Sequence, residues 1–167
     1  MHKKVLRALL ITMLGLSCTV SGGGIFASPL EDSMAAYDRG DYATAVRLLR
    51  PLADQGNAQA QNSLGALYYN GKGVAQDFKE AVKWYRLAAV QGHTSAQVNL
   101  GAMYYEGQGV AEDFIRAYMW LSIAAANGNP DAVRMRDGIS KYLIDQQIAE
   151  AQVMAHKCET SQYKQCD

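Results

Sequence analysis

Ser161 and Lys164 are the residues whose types and spacing come nearest to a catalytic pattern. A serine three positions before a lysine matches the Ser-x-x-Lys motif, in which the lysine amine helps to activate the serine hydroxyl as a nucleophile. Two of the four positions are free, so a chain of 167 residues meets the pattern by chance, and the partner motifs Ser-Asp-Asn and Lys-Thr-Gly are absent. Both residues fall in a terminal segment where nothing is expected to desolvate the lysine. We therefore predict no catalytic serine.

The glycine loops and the histidines offer no other reactive centre. Gly71-Lys72-Gly73 and Gly107-Gln108-Gly109 lack the third glycine of a phosphate-binding loop, and each follows a predicted helix instead of a strand. His93 and His156 are the only histidines after residue 27, and no carboxylate motif stands beside them. The sequence therefore predicts a protein that is not an enzyme and that holds no cofactor or metal.

Residues 1–27 have the features of an export signal. Three basic residues precede an apolar stretch, residues 8–16, which is shorter than the ~20 apolar residues of a membrane span. Cleavage is expected after Ala27, so the mature chain would begin at Ser28 and reside in the periplasm or outside the cell. Lipoprotein processing at Cys18 is the alternative, and it would attach the chain to a membrane.

Cysteine usage is consistent with export. Cys158 and Cys166 are the only cysteines after Cys18, and an even pair in an exported chain usually forms a disulfide. His156 lies two residues before the first of them, but a metal site usually needs three or four ligands. We expect a disulfide that holds a tail, residues 158–167, without stapling the core, and that contributes roughly 2–3 kcal/mol.

The charge balance argues against a nucleic-acid partner. The chain has 16 basic and 16 acidic residues, and three of the basic ones but none of the acidic ones lie in residues 1–27. The processed chain would therefore carry a net charge of about −3 and has no basic cluster, which binding to phosphates requires. Its 140 residues suffice for one domain with an adequate core.

Two copies of one 36-residue unit, residues 57–92 and 93–128, occupy the middle of the chain. A fixed period of this length indicates a supersecondary unit that buries its apolar face by stacking on its neighbours. The main shared positions are Leu64, Gly65, Tyr68, Gly71, Gly73, Asp77, Ala81 and Trp84 in the first copy, and Leu100, Gly101, Tyr104, Gly107, Gly109, Asp113, Ala117 and Trp120 in the second. The repeat predicts an all-α fold, an α-solenoid of stacked antiparallel helix pairs.

The residue spacing within each copy predicts two helices joined by the glycine loop. In the first copy a helix is expected over residues 58–70 and a second one from Phe78, with Asp77 as its N-cap and Gly92 as its stop. The second copy gives helices over residues 94–106 and 114–127. Trp84 and Trp120 would fill the gaps between helices, and the small residues would let the helices approach closely.

The flanking segments would complete the solenoid, since two units are too few to be stable alone. Residues 28–56 read as a degenerate helix pair without the glycine loop, with helices over residues 30–39 and 43–55. Residues 129–157 read as a C-terminal capping pair, in which Pro130 suits a first helical turn and Asp145 is the expected N-cap of the last helix.

The consensus of the two copies resembles a known family. Ala-Gln-x-x-Leu-Gly-x-x-Tyr-x-x-Gly-x-Gly-Val-x-x-Asp, followed by Ala-x-x-Trp-x-x-x-Ala-Ala-x-x-Gly, is similar to the Sel-one-like repeat, a relative of the tetratricopeptide repeat with a longer loop. The resemblance covers residues 57–128 closely and residues 31–56 loosely. It implies adaptor or scaffold work, often at the bacterial envelope, without shared catalytic residues. Some cysteine-rich members are proposed to bind or hydrolyse β-lactams, so a β-lactam or cell-wall protein is the alternative.

The resemblance also implies where a partner would bind. Tetratricopeptide ligand positions lie on the concave face of each first helix. In this chain they are Gln59, Asn62, Ser63, Ala66, Tyr69 and Asn70, then Ser95, Val98, Asn99, Ala102, Tyr105 and Glu106. Amide, hydroxyl and tyrosine groups suit an extended peptide, and a solvated helix face is the alternative for the same residues. We expect a monomer that binds a protein or peptide.

One difference between the copies predicts a contact. Lys79, Lys83 and Arg86 of the first copy are replaced by Ile115, Met119 and Ser122 in the second. An apolar face that replaces a charged one is expected to be covered. We predict that the C-terminal helix pair covers it, and an exposed partner site is the alternative.

Overall fold

The computed structural model describes residues 28–166, and all regular structure within that range is helical. Each first helix is joined to a second one by a short turn or a glycine loop. The eight helices are α1 (Pro29–Asp38), α2 (Tyr42–Asp54), α3 (Ala58–Asn70), α4 (Phe78–Ala89), α5 (Thr94–Glu106), α6 (Phe114–Ala126), α7 (Pro130–Ser140) and α8 (Asp145–Thr160).

Helices α1 to α6 pack as consecutive antiparallel pairs, whereas α7 and α8 make few contacts with each other, so the expected C-terminal capping pair does not form a packed hairpin. The contacts are most extensive within α1/α2, α3/α4 and α5/α6, and each pair then stacks on the next through α2 on α3 and α4 on α5. At the C-terminal end both α7 and α8 pack on α6. The predicted α-solenoid of stacked helix pairs is thus confirmed.

The helix ends follow from residue types with defined backbone roles. The Asp77 carboxylate accepts hydrogen bonds from the backbone N–H groups of Lys79 and Glu80, at 2.9 and 3.1 Å, as an N-cap should. Asp113 caps α6 by accepting the backbone N–H of Arg116 at 2.9 Å. Gly71 ends α3 in the left-handed conformation with φ of 64°, which glycine adopts without strain.

The start and end of α8 differ from expectation. Asp145 is the first helical residue and not the N-cap; that position belongs to Ile144, whose N–H donates to Gln147 Oε1 at 3.1 Å. An acidic residue is favourable in the first helical turn as well as at the N-cap, because of the helix dipole. The sequence alone therefore does not decide whether Asp145 is the N-cap or the first helical residue. The helix also continues to Thr160, past the expected boundary at residue 157.

The core consists of two apolar clusters along the solenoid. The first is built around α2 and α3 and includes Leu49, Leu64 and Trp84. The second runs from α4 to α8 and includes Trp120, which is fully buried. Close helix contacts depend on small residues: a Cβ atom at Gly65 would lie 2.8 Å from the Tyr85 ring.

The disulfide forms and holds the tail as expected, but the burial of its two cysteines in the core was not expected. Cys158 and Cys166 are bonded, and both side chains are buried in the second cluster. Because α8 continues through Cys158, the bridge ties the last residues of the chain to the inner face of a core helix.

The glycine loops pack against the preceding helix pair. A Cβ atom at Gly73 would lie 2.5 Å from the Tyr42 carbonyl, and one at Gly109 would overlap the Phe78 carbonyl. Lys72, between the two loop glycines of the first copy, lies over the Tyr42 ring at 4.8 Å. Each loop therefore connects its own unit to the unit before it.

The apolar face of the second copy is covered as predicted. Met119 is fully buried, and Ile115 is partly buried against the second cluster. The cover is α8 together with α7, which both contact α6.

The expected signal segment and Cys18 lie outside the described residues. Within residues 28–166, the helices are too short or too polar to cross a membrane.

Candidate functional site

The exposed sides of the first helices, α1, α3, α5 and α7, form a surface that we call the first-helix face. Three hollows follow one another along it, with volumes of about 290, 300 and 210 Å³. The first lies between α1 and α3, the second between α3 and α5, and the third between α5 and α7. Ala66 lines both the first and the second hollow, so these two are adjacent.

Most of the predicted partner-binding residues line these hollows. Asn62 and Ser63 line the first hollow, and Tyr105 lines the third. The second is lined by Tyr69, Asn70, Asn99 and Ala102 from the predicted set, together with Tyr85 and Met103 from the core. Burial raises the pKa of the Tyr85 phenol, so this hydroxyl stays protonated as a hydrogen-bond donor.

Four predicted residues lie outside the hollows. Ser95 and Glu106 are exposed on α5 but line none of the three. Val98 is half-buried and packs against the second cluster. Gln59 is half-buried near the start of α3, where its amide nitrogen lies 3.5 Å from the Ser63 hydroxyl. The other eight predicted residues line the hollows, and their role in binding stays a prediction.

A tyrosine near the end of each first helix lines each hollow: Tyr37 the first, Tyr69 the second and Tyr105 the third. A ring from the following helix supports each of them. The centroid distances are 5.2 Å for Tyr37 and Tyr42, 5.4 Å for Tyr69 and Phe78, and 5.7 Å for Tyr105 and Phe114. Such tilted ring pairs are favourable packing arrangements, so the tyrosines are held in place before any partner arrives.

Hydrogen bonds between side chains join α3 to α5 along the face. The Asn99 amide donates to Asn62 Oδ1 at 3.1 Å. His93 Nε2 lies 3.0 Å from Gln59 Oε1, while His93 Nδ1 accepts the backbone N–H of Ala96 at 3.3 Å. Both contacts require a neutral ring with its proton on Nε2, and burial lowers the pKa of His93 accordingly.

The cap role of His93 was missed in the sequence, although a signal for it was present. Asn57 caps α3 and Asn129 caps α7, each 36 residues from His93, and each accepts the backbone N–H three residues later. Histidine is not a common N-cap, but aligning the three positions would have identified its role.

Gln61 and Gln97 are a second feature whose role sequence reasoning did not assign. Both are buried in the stack. The Gln61 amide donates to the Ala53 carbonyl at 3.0 Å and its oxygen accepts from Gln91 at 2.7 Å. The Gln97 amide donates to the Ala89 carbonyl at 3.2 Å and its oxygen accepts from Asn127 at 3.3 Å. Each glutamine thus joins three consecutive helices.

The residues that resembled a catalytic pair have structural surroundings. The Ser161 hydroxyl donates to the Cys158 carbonyl at 2.8 Å and accepts the Gln165 N–H at 3.0 Å. Lys164 is exposed. Within residues 28–166 there is also no group of three or more side chains that could hold a metal ion. The arrangement gives the Ser-x-x-Lys pattern no support.

Comparison with known families identifies the repeats. Three Sel1 repeats match the chain, at residues 35–57, 58–93 and 94–129. The chain belongs to the Sel1 repeat family. The matched repeats begin one residue after the periods seen in the sequence, and the first shows that the degenerate N-terminal pair includes a Sel1 repeat as well. Sel1 repeat proteins generally act as scaffolds for protein interactions and are typically not enzymes.

Solved structures of Sel1 repeat proteins are similar to this chain. A protective antigen of uropathogenic Escherichia coli strains, which displays an SLR fold, is 31% identical over 82% of this chain with a TM-score of 0.75. A Sel1 repeat protein from Oxalobacter formigenes is 34% identical over 64% of this chain, with a TM-score of 0.55, and 96% of that protein is covered. No curated protein matches the chain in sequence.

The chain spans only 32% of the length of the Escherichia coli antigen. Cysteine-rich protein B of Helicobacter pylori is 21% identical over 68% of this chain, with a TM-score of 0.53 and 99% of that protein covered, which shows a shared fold.

Proposed function

We propose that this Sel1 repeat protein is a non-enzymatic interaction module of the bacterial cell envelope, which binds an extended segment of a partner protein along the first-helix face. The observation that carries the proposal is the row of three hollows along this face, of which the first two share Ala66 as a wall. A chain of hollows suits an extended segment better than a single compact ligand.

The chemistry of the face favours a largely uncharged segment. The second hollow is lined by tyrosine, asparagine and apolar side chains, and the charged lining residues of the other two are Asp38 and Lys141. Amide groups can pair with the backbone of an extended segment, while tyrosine rings give apolar area with a polar end. A strongly charged tail would find no cluster of opposite charge in these hollows.

A substitution at Ala66, the wall shared by the first and second hollows, tests the proposal. Ala66→Arg places a long side chain there and keeps a good helix former. Peptides selected from a random phage-displayed library on the wild-type protein should bind this variant at least about tenfold more weakly, which corresponds to about 1.4 kcal/mol. Isothermal titration of the selected peptides would measure the change.

Ala149→Arg is the matched control, because Ala149 is an exposed residue of α8 outside the hollows. It should bind the peptides as the wild type does. Tyr69→Ala combined with Tyr105→Ala should weaken binding as Ala66→Arg does. Peptides that bind all three variants equally well would show that the first-helix face is not the binding surface.

Export to the periplasm is part of the proposal and rests on the sequence of residues 1–27. Mass spectrometry of the mature protein should find an N-terminus at Ser28. A diacylated N-terminal Cys18 would instead establish the lipoprotein alternative.

A further inference from the structure

Two junctions of the solenoid are related by the 36-residue repeat, and they can be compared residue by residue. In the first, α2 and α4 flank the start of α3; in the second, α4 and α6 flank the start of α5. The Gln61 bond to the Ala53 carbonyl and the Gln97 bond to the Ala89 carbonyl occupy the same places in the two junctions. The backbones of the two junctions are therefore equivalent, and we call this shared arrangement the frame. The two junctions differ in which other parts of the chain pack over the frame.

The second junction is covered by the end of the chain. α8 packs on α6, and Met119 and Ile123 of α6 are fully buried. The Tyr163 ring, from the disulfide loop, lies over Gly92, where a Cβ atom would be 3.3 Å from the ring. The Tyr163 hydroxyl also lies 3.5 Å from the Asn127 amide nitrogen.

The first junction has the same frame without a cover. Lys83 and Leu87 stand where the second junction has Met119 and Ile123, and the Lys83 side chain is 57% exposed while Leu87 is 40% exposed. A Cβ atom at Gly56, the counterpart of Gly92, would meet nothing within 4 Å. A groove of about 600 Å³ remains here, with Arg50, Lys83, Trp84, Leu87 and Gln91 among its lining residues. We call it the open junction groove.

The charge of the groove indicates what kind of helix would fill it. Two basic side chains, Arg50 and Lys83, and one acidic side chain, Asp54, line it. Lys83 also pairs with Glu80 at 3.2 Å. Because an exposed ion pair is weak, a carboxylate of an incoming helix can compete with Glu80 for Lys83. A helix with acidic residues beside its apolar stripe would complement the excess positive charge.

We propose that the open junction groove binds one acidic amphipathic helix of a partner protein, in the way that α8 lies against α6. The second junction supports a helix as the bound segment, because there α8 covers the equivalent frame. The face that α8 buries consists of small residues, Ala151, Ala155 and Cys158. Helix-in-groove binding of this kind is a common mode of recognition. The groove shares no lining residue with the three hollows of the first-helix face, so this is a second site.

A helical peptide library built on α8 tests the proposal. Peptides of the length of α8 would carry alanine at the three positions of its buried small residues and random residues elsewhere, and would be selected on the whole mature protein. We expect an excess of aspartate and glutamate in the selected peptides. Their affinity should fall at least about tenfold on Lys83→Glu and on Leu87→Glu.

Controls separate this site from the other surfaces. Val153→Glu changes an exposed apolar residue of α8 and should leave binding unchanged, as should Ala66→Arg on the first-helix face. Replacing the peptide's acidic residues with lysine should restore binding to the Lys83→Glu variant. Thermal unfolding of every variant would establish that it is folded.

Three outcomes would overturn the proposal. The first is the absence of any selected helix that distinguishes Leu87→Glu from the wild type. The second is binding that is lost on Ala66→Arg instead, which would assign these helices to the first-helix face. The third is dimerisation of the wild-type protein that Leu87→Glu abolishes, measured by sedimentation, which would identify the occupant as a second copy. Failure of the Ala66→Arg test under "Proposed function" would leave this inference untouched.

Discussion

Gln97 is a polar residue in an apolar stack, and its bonds explain why it is there. Its amide reaches the Ala89 carbonyl at the end of α4, and its oxygen accepts from Asn127 at the end of α6. A buried polar group is stabilising only when its hydrogen bonds are made, and here they also fix the register of three helices. Gln61 does the same for α2, α3 and α4.

Gln97→Leu should lower the free energy of unfolding by about 1–3 kcal/mol, because buried polar partners lose a hydrogen bond. Urea unfolding followed by circular dichroism would measure it. Gln152→Leu is the control, since Gln152 is exposed on α8, and it should change the free energy by less than about 0.5 kcal/mol. Equal effects of the two changes would contradict the structural role of Gln97.

His93 should make the stability of the protein depend on pH. Burial lowers the pKa of its ring below the usual 6.5, so the unfolded chain takes up a proton before the folded chain does. The unfolding free energy should therefore be independent of this group above about pH 7 and should fall as the pH drops below about 6.5. The charged ring can no longer accept the Ala96 N–H through Nδ1.

His93→Asn separates this effect from other titrations. Asparagine is a good N-cap and already occupies the equivalent positions Asn57 and Asn129. We expect the variant to lose less stability than the wild type between about pH 7.5 and pH 5, as measured by urea unfolding at each pH. Parallel pH profiles would show that His93 is not responsible.

At the scale of elements, the glycine loops are held by their contacts with the preceding unit. Gly109 combines a φ of 71° with a close approach to the Phe78 carbonyl, whereas Gly128 has a φ of 84° and open space around it. These two glycines therefore separate the cost of the left-handed conformation from the cost of a collision.

Gly128→Ala should cost about 1–2 kcal/mol, the usual penalty of a left-handed L-residue. Gly109→Ala should cost about 1–3 kcal/mol more, because the added methyl group must displace the start of α4. Thermal unfolding of the two variants measures the difference. A smaller loss for Gly109→Ala than for Gly128→Ala would contradict the packing described for the loop.

The sequence predicted the bounds of those helices that end at a residue with a characteristic backbone conformation, such as glycine. α3 and α5 were predicted over their observed ranges because glycine ends each of them. The end of α8 was missed because no glycine marks it; Gln162 and Tyr163 adopt positive φ values of 54° and 63° there instead. The burial of Cys158 was missed for the same reason. With the helix expected to end at residue 157, Cys158 was assigned to the tail and not to the buried face of α8.

The candidate site could be predicted only in part. Its tyrosines and asparagines follow from the repeat period, but the hollows depend on how adjacent first helices approach one another. Val98 shows the limit: it has a predicted binding position, yet it packs against the second cluster. Whether such a half-buried residue faces the hollow or the core depends on the angle between neighbouring units. This angle cannot be read from the sequence.

At the scale of the molecule, α8 closes the C-terminal end of the stack. A chain that ends at Ile144 would expose Met119 and Ile123, which are fully buried when α8 is present, because their counterparts Lys83 and Leu87 are exposed at the uncovered first junction. An apolar patch of that size promotes association. We expect the shortened chain to aggregate, as measured by sedimentation.

Met119→Lys should have opposite effects in the two chains. In the chain that contains α8 it buries an ammonium group and should cost at least about 3 kcal/mol. In the shortened chain it reproduces Lys83 at the equivalent position and, combined with Ile115→Lys, should increase solubility. A shortened chain that stays monomeric without these changes would show that α8 is not needed as a cover.

The two glycine loops and the disulfide loop each pack on a residue that lies earlier in the chain. Gly73 meets Tyr42, Gly109 meets Phe78, and Tyr163 meets Gly92. Each of these partners leaves the ribosome before the residue that packs on it, and domains generally fold in the order of their synthesis. Each later hairpin thus meets the surface of the preceding unit already synthesised.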